Sequence, residues 1–184
     1  MTQIHYPAEY ITFLAHFHGD RDLFECHEVL EEYWKEEPDH PYREAWLGFI
    51  QVAVGLYHQR RGNDAGAEKM LAAAVRHLHV EQLEQLGVDS SALHAGLQDR
   101  LIQVKCSRGT GEKAAYSDFD IPIRDPELLK LAQARCESLG VSWGAPSRMN
   151  DPQVVHRHTL RDRTEVIEER RKQLDKRRLE RGEA

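Results

Sequence analysis

One short stretch, residues 24–34, holds most of the side chains in this sequence that could do chemistry. It contains His27, with Glu28 beside it and Glu31 four positions later. In an α-helix, residues four apart lie one turn apart on the same face, so the His27 imidazole and the Glu31 carboxylate can meet. Imidazole and carboxylate groups are ligands for divalent metals and also serve in acid/base catalysis. The candidate catalytic residues are therefore His27, Glu28, Glu31 and, from the following helix, His58.

The helical positions of these residues predict how their side chains are placed. At roughly 100° per residue, His27 falls on the apolar face between Leu23 and Leu30, so we expect it to be largely buried. Glu31 is expected at the margin of that face, within direct or one-water reach of His27. If the next helix packs antiparallel against this one, His58 comes close to the same pocket.

The sequence leaves three interpretations of this cluster open. In the first, His27, Glu31 and His58 bind a divalent metal with water in an open position, although the stretch lacks the second histidine of the HExxH motif. In the second, His27 is a general acid or base tuned by Glu31. In the third, the cluster is a hydrogen-bonded network that fixes helix packing and also includes Gln51 and Tyr57. We favour the third, and we predict no cofactor apart from that candidate metal.

Capping residues and apolar spacing predict that helices position this cluster. Residues 41–61 have apolar side chains in nearly every direction around the helix axis, so this helix should be covered on most sides. The predicted fold class is all-α, a compact bundle of antiparallel helical hairpins with a charged C-terminal helical extension. The predicted helices lie near residues 7–18, 22–36, 41–61, 65–79, 91–106, 126–139 and 152–179.

Composition along the chain predicts three segments. Residues 1–108 should form the bundle core, residues 109–150 a loop and an accessory helix that pack on it, and residues 151–184 a charged C-terminal helix. Residues 161–184 contain nine Lys/Arg and seven Asp/Glu, a formal charge of +2. Because the signs alternate at helical spacing, we expect these charges to pair with one another on a solvated helix.

Charge and hydropathy exclude several classes of protein. The 184 residues carry a formal net charge of -6, and no compact basic block is interleaved with aromatic residues, so nucleic acid is not an expected partner. The amino terminus lacks a signal-peptide pattern, and the most apolar stretch, residues 45–57, falls short of the ~20 residues that cross a bilayer. We therefore expect a cytoplasmic protein that does not bind membranes.

The same stretch and the helix after it resemble a known family. The resemblance, to the bacterial and archaeal domain-of-unknown-function family numbered 309, rests on residues 24–32, Trp34, Gln51, Tyr57, His58, Gly62, Asn63 and Gly66. It covers residues 10–101, and the part from Tyr116 onward is similar to the extension of the longer, Bacillus-type members. The resemblance implies a compact all-α bundle with motif positions at His27, Glu28, Glu31, Trp34 and His58. It implies no particular activity.

The sequence as a whole favours an interaction or scaffold protein with a structural His/Glu network. Its partner would be another protein or a second copy of this chain, as a homodimer. The alternative is a metal-dependent or acid/base enzyme, hydrolase-like, acting at His27, Glu31 and His58. An enzyme needs a solvent-connected pocket that reaches the cluster, whereas an interaction protein should present a patch outside it.

Overall fold

The computed structural model describes residues 5–160 together with Glu168, Arg171 and Lys172. Residues 5–160 form nine helices, and their β pairing is limited to an isolated antiparallel bridge between Val88 and Ile123. The all-α fold class is therefore confirmed. The helices are α1 (Ala8–His18), α2 (Leu23–Glu36), α3 (Arg43–Arg60), α4 (Asp64–His77), α5 (Val80–Gln85), α6 (Ser90–Thr110), α7 (Pro126–Leu139), α8 (Pro152–Val155) and α9 (Arg157–Leu160).

The helix starts follow from capping residues that the sequence supplies. The side chains of Asp22, Asn63 and Asp89 each accept a hydrogen bond from a main-chain N–H in the first turn of α2, α4 and α6. Each bond satisfies one of the donors that a helix start leaves open. Asp125 does the same for α7, and Pro126 follows it in the first turn, where a missing N–H costs nothing.

Helices α3 and α4 form an antiparallel hairpin with a close backbone approach. The first half of α3 meets the end of α4, since Gly48 lies against Leu78, and the second half meets the middle of α4. A Cβ atom on Gly55 would lie 2.8 Å from Cγ of Leu71, so a side chain at this position would have to push the two helices apart.

Helix α2 packs antiparallel on another side of α3. The ring of Tyr33, near the end of α2, lies 6.0 Å from that of Trp46, while Phe24, near its start, lies 6.0 Å from Tyr57. Covered in this way, α3 supplies more buried residues than any other helix described, as its all-round apolar pattern predicts. Among the described residues, none of the helices has the combination of length and hydrophobicity needed to cross a bilayer.

The accessory part of the chain shares the core of the bundle. Helix α7 packs on α1, and its residues Leu128 and Ala132 belong to the same cluster of buried side chains as α1, α3 and α4. The loop before α7 adds Ile121 to that cluster. The division into segments 1–108, 109–150 and 151–184 stays a prediction, but the hydrophobic core continues from the first of them into the second.

Three buried arginines, Arg21, Arg60 and Arg100, connect the bundle to the accessory part, and we call them the arginine junction. Their exposed fractions are 4%, 5% and 6%. Arg21 donates to the main-chain oxygens of Ala145 (2.8 Å) and Phe119 (3.1 Å). Such bonds are required here, because a buried cation without partners is strongly destabilising.

The other two members of the arginine junction use the same chemistry. Arg60 donates to the main-chain oxygens of Arg21 (2.7 Å) and Val154 (3.1 Å). Arg100 donates to the main-chain oxygen of Ser117 at 2.8 Å. The junction therefore ties the α1–α2 turn, the end of α3 and the middle of α6 to segments that lie far along the chain.

The continuous C-terminal helix predicted for residues 152–179 is interrupted at His156, between α8 and α9. In an unbroken helix the His158 N–H would donate to the Val154 carbonyl. Here the His158 N–H donates to the Tyr57 hydroxyl (3.1 Å), and the Val154 carbonyl accepts from Arg60. Contacts with α3 thus replace a helical hydrogen bond. Beyond Leu160, the remainder of this prediction lies outside the described residues, apart from Glu168, Arg171 and Lys172.

Candidate functional site

Helix α2 brings His27, Glu28 and Glu31 together in one cluster, which we call the α2 cluster. Nε2 of His27 lies 3.1 Å from a carboxylate oxygen of Glu31, and Nδ1 lies 3.3 Å from one of Glu28. One ligand-type atom from each residue can be chosen so that all three lie within 4.8 Å of one another. The contact with Glu31 is the one that the i,i+4 spacing predicts. The geometry is that of three donors around a space that a cation could enter.

The expectation that His27 would be largely buried is met only in part, because its side chain is 25% exposed. The fully buried residues of α2 are Leu23, Cys26 and Leu30, which centres the packed face on them and leaves His27 at its edge. There the His27 ring packs edge-on against Phe24, with 5.8 Å between centroids. The α2 cluster therefore lies at the boundary between core and solvent.

Glu31 is held in its charged form by its neighbours. The hydrogen bond from His27 lowers the pKa of Glu31 to about 2, and the ammonium of Lys35, 3.3 Å away, acts in the same direction against the opposing effect of burial. A neutral imidazole has one N–H, so it can donate to only one of the two carboxylates that face it. A second proton or a metal cation is needed to satisfy both sides of the ring.

His58 does not join the α2 cluster in the structure. Its Nδ1 lies 3.2 Å from Arg61 and 3.1 Å from the Asn63 amide, and its ring covers Gly66 on α4. Burial and the positive charge of Arg61 lower the pKa of His58. The neutral form of the ring is thereby favoured, and its Nδ1 can accept hydrogen bonds from Arg61 and Asn63. The expected proximity to His27 fails because His58 projects from α3 toward α4, whereas its neighbour Tyr57 projects toward α2.

The other polar residues of the predicted network also have partners elsewhere. The side-chain oxygen of Gln51 accepts a hydrogen bond from Nδ1 of His77 in α4, at 2.8 Å. The Tyr57 hydroxyl lies 2.7 Å from Nδ1 of His158 in α9. Both side chains are therefore committed to different neighbours of α3, and the single interhelical network expected from the sequence is replaced by separate contacts.

A solvent-open groove of about 400 Å³ reaches the α2 cluster. One wall is the face of α2 that carries Phe24, Glu25, Glu28 and Glu32, so Glu28 belongs both to the groove and to the cluster. The opposite wall is formed by Gln153, Arg157 and Leu160 of α8 and α9. The Glu28 side of the cluster is thus accessible to small molecules, as an enzyme site requires.

Arg157 is the groove residue that sequence reasoning missed. It pairs with the carboxylates of Asp22 and Glu25, and its guanidinium carbon lies 5.8 Å from the centre of the Phe24 ring. The Asp151-Pro152 cap gave a signal for the start of this segment. Its docking beside α2 had no local signal, because it depends on contacts between residues more than a hundred positions apart.

Comparisons with known proteins show which family the chain belongs to. The family described as "Domain of unknown function (DUF309)" matches residues 10–70, which contain the whole α2 cluster and His58. The chain is also 41% identical over 178 residues to a Bacillus subtilis (strain 168) protein called "Uncharacterized protein YpuF", a match that covers 96% of this chain and 99% of that one. No solved structure matches the chain. With motif positions and nearly full-length similarity in agreement, the chain belongs to the DUF309 family.

Proposed function

We propose that this protein binds a divalent metal cation through His27, Glu28 and Glu31 and uses it in a reaction on a small molecule held in the adjoining groove. The observation that carries the proposal is the groove itself, which opens to solvent and includes Glu28. A purely structural network gains nothing from such access. A catalytic site depends on it.

The donor set supports a metal of intermediate hardness. One imidazole nitrogen with two carboxylate oxygens suits Zn²⁺, Mn²⁺ or Fe²⁺ better than the all-oxygen sites typical of Ca²⁺ and Mg²⁺. Three protein ligands would leave a coordination position for water, and a bound metal would lower the pKa of that water toward neutrality. The second nitrogen of His27 stays within reach of a carboxylate, which would fix the ring orientation. The proposed reaction class is therefore metal-assisted hydrolysis.

Metal content and melting of the full-length protein test this proposal. Protein purified without an affinity tag should bind Mn²⁺ or Zn²⁺ at about one ion per chain in calorimetric titration and melt at a higher temperature with the ion than with chelator. His27→Ala should abolish both effects, and the control His79→Ala, which alters an exposed histidine outside the cluster, should retain them. A wild type that takes up neither ion would overturn the proposal.

The interaction role favoured by the sequence stays a prediction. The exposed large apolar side chains among the described residues are Val80, Ile102, Leu131, Met149 and Leu160. They lie on different parts of the fold, and scattered residues of this kind are ordinary on protein surfaces. Sedimentation velocity of the full chain tests the predicted homodimer directly.

We also propose a cytoplasmic location. Cys26, Cys106 and Cys136 are all free thiols, which fits a reducing compartment. Fractionation of cells that express the untagged protein tests this, and recovery outside the cytoplasmic fraction would contradict it.

A further inference from the structure

A short non-helical segment, residues 141–146, contacts the arginine junction, and we call it the strap. It begins after α7, which is anchored by the buried side chains of Leu128 and Cys136. It ends before Ser147, whose N–H and hydroxyl both donate to the Asp118 carboxylate. None of the six residues of the strap is buried. A segment with so little buried surface between two fixed ends can open locally while the rest of the fold stays closed.

The contacts that hold the strap closed gather at His18, the last residue of α1. The Trp143 ring stacks on the His18 ring, with 4.3 Å between the centroids and 14° between the planes. The Gly144 N–H donates to the main-chain oxygen of His18 at 2.8 Å. Arg21, in the turn between α1 and α2, donates to the Ala145 carbonyl. A change in the His18 ring therefore acts directly on the strap.

His18 is a buried titratable group, with only 3% of its surface exposed. Its Nδ1 lies 3.4 Å from a carboxylate oxygen of Asp120, whereas its buried Nε2 has no hydrogen-bond partner among the described residues. A neutral imidazole with its one N–H on Nδ1 fits this arrangement, because the donor then faces the carboxylate. Protonation would add a charged N–H at Nε2 with nothing to accept from it, which is strongly unfavourable in a buried position.

The groups that face His18 from the described elements around it do not offset this cost. The Asp120 oxygen nearest to Nδ1 already accepts from Arg21 at 2.8 Å, and the Asp120 side chain is 68% exposed, so solvent screens its attraction. Trp143 favours a cation through its ring face, but this attraction is smaller than the cost of a buried charge without an acceptor. Burial and the positive charge of Arg21 therefore lower the pKa of His18 below its ordinary value of 6.5, against the opposing effect of Asp120.

We propose that His18 makes the strap sensitive to pH: the neutral imidazole holds the strap closed, and protonation of His18 opens it. Opening uncovers the His18 ring, so water can accept from Nε2, and the protonated form therefore favours the open strap. It also takes the Ala145 carbonyl away from Arg21, so acid exposes part of the arginine junction. The closed strap is most stable above pH 6.5 and loses stability as pH falls below that value. None of these steps depends on the proposed metal function.

Amide exchange of the full-length chain, measured by NMR and corrected for its intrinsic pH dependence, tests the opening. From about pH 7.5 to about pH 5, corrected exchange at Gly144 should accelerate at least about threefold in wild type, while residues 45–57 in α3 stay protected. In His18→Gln, which has no imidazole to protonate, exchange at Gly144 should not depend on pH. The control His16→Gln removes a second imidazole of α1, one that pairs with Asp20, and should respond to pH as wild type does.

Asp120→Asn tests the direction of the effect while keeping His18 in place. It removes the carboxylate that favours the protonated ring, so the pH at which Gly144 exchange rises should move lower than in wild type. A shift to higher pH would contradict the proposal. Exchange at Gly144 that is equal at both pH values in wild type, or that responds to pH in His18→Gln as it does in wild type, would overturn it. Equal acceleration at residues 45–57 would show global unfolding in place of strap opening and would overturn it as well.

Discussion

The arginine junction and the α2 cluster both place charged side chains next to the core, but they do so in opposite ways. The junction arginines are at most 6% exposed. They donate to main-chain oxygens that lie as far as 124 positions away in the sequence. In the α2 cluster the side chains of His27, Glu28 and Glu31 are 25%, 32% and 35% exposed, and His27 contacts carboxylates one and four residues away.

This difference suits the junction to a structural role and the α2 cluster to the functional role proposed for it. A buried cation satisfied by carbonyl groups cannot exchange partners without a large cost, so the junction is suited to holding segments together. A partly exposed cluster of imidazole and carboxylate groups beside a groove would need little rearrangement to bind the proposed metal. The sharpest tests of this contrast compare how much substitutions in the two regions lower the free energy of unfolding.

The largest effect is expected at the arginine junction. Arg60→Ala should lower the free energy of unfolding by roughly 3 kcal/mol, because it leaves the carbonyls of Arg21 and Val154 without their donor and creates a cavity. Urea unfolding measures this. The control Arg148→Ala, at a side chain that is 64% exposed, should change it by no more than about 0.5 kcal/mol. Similar values for the two variants would contradict the contrast.

A smaller effect is expected where His58 packs. A Cβ atom on Gly66 would lie 2.9 Å from Cγ of His58 and 2.7 Å from the Asn63 amide nitrogen. Gly66→Ala should therefore destabilise the protein by about 1 kcal/mol, because this crowding outweighs the higher helix propensity of alanine. Thermal melting in a His58→Ala background should show a smaller loss. The matched control is Gly109→Ala in α6, where no atom lies within 4 Å, and this change should stabilise by about 0.5–1 kcal/mol. A loss of stability in both glycine variants would contradict the packing of His58 against Gly66.

His27→Ala should have a modest effect on stability in the presence of chelator. Because His27 is 25% exposed and its partners can be hydrated when it is removed, we expect a loss of about 0.5–1 kcal/mol in urea unfolding. A loss above roughly 3 kcal/mol would instead place His27 in the same structural class as Arg60.

The smallest effect is the pH dependence that comes from Glu31. Its folded pKa of about 2 lies below the ordinary value of 4.5, so its charged form adds stability above pH 4.5, and this stability is lost as pH falls toward 2. With 35% of the side chain exposed, solvent screening keeps the contribution below about 1 kcal/mol. The difference in unfolding free energy between wild type and Glu31→Gln should shrink from pH 6 to pH 3. A difference that grows as pH falls would have the wrong sign.

Local chemistry explains which parts of the site could be predicted. The His27–Glu31 contact depends only on helical spacing, and the helix itself depends on the Asp22 cap and the apolar positions of α2. The burial of His27 was overestimated because Leu23, Cys26 and Leu30 fix the rotation of the helix. His58 was misplaced because a helix packed between two neighbours can direct successive side chains to either one.

The sequence by itself determined most of the helices between residues 7 and 139, the caps at Asp22, Asp89 and Asp125, and the His27–Glu31 contact, because these follow from interactions between residues a few positions apart. Tertiary structure alone decided that α8 and α9 form the second wall of the groove, with Arg157 beside Glu25. It also decided that the C-terminal helix breaks where α3 takes over the hydrogen bonds of Val154 and His158. Such contacts join residues about a hundred positions apart, and their energies depend on burial that no local pattern encodes.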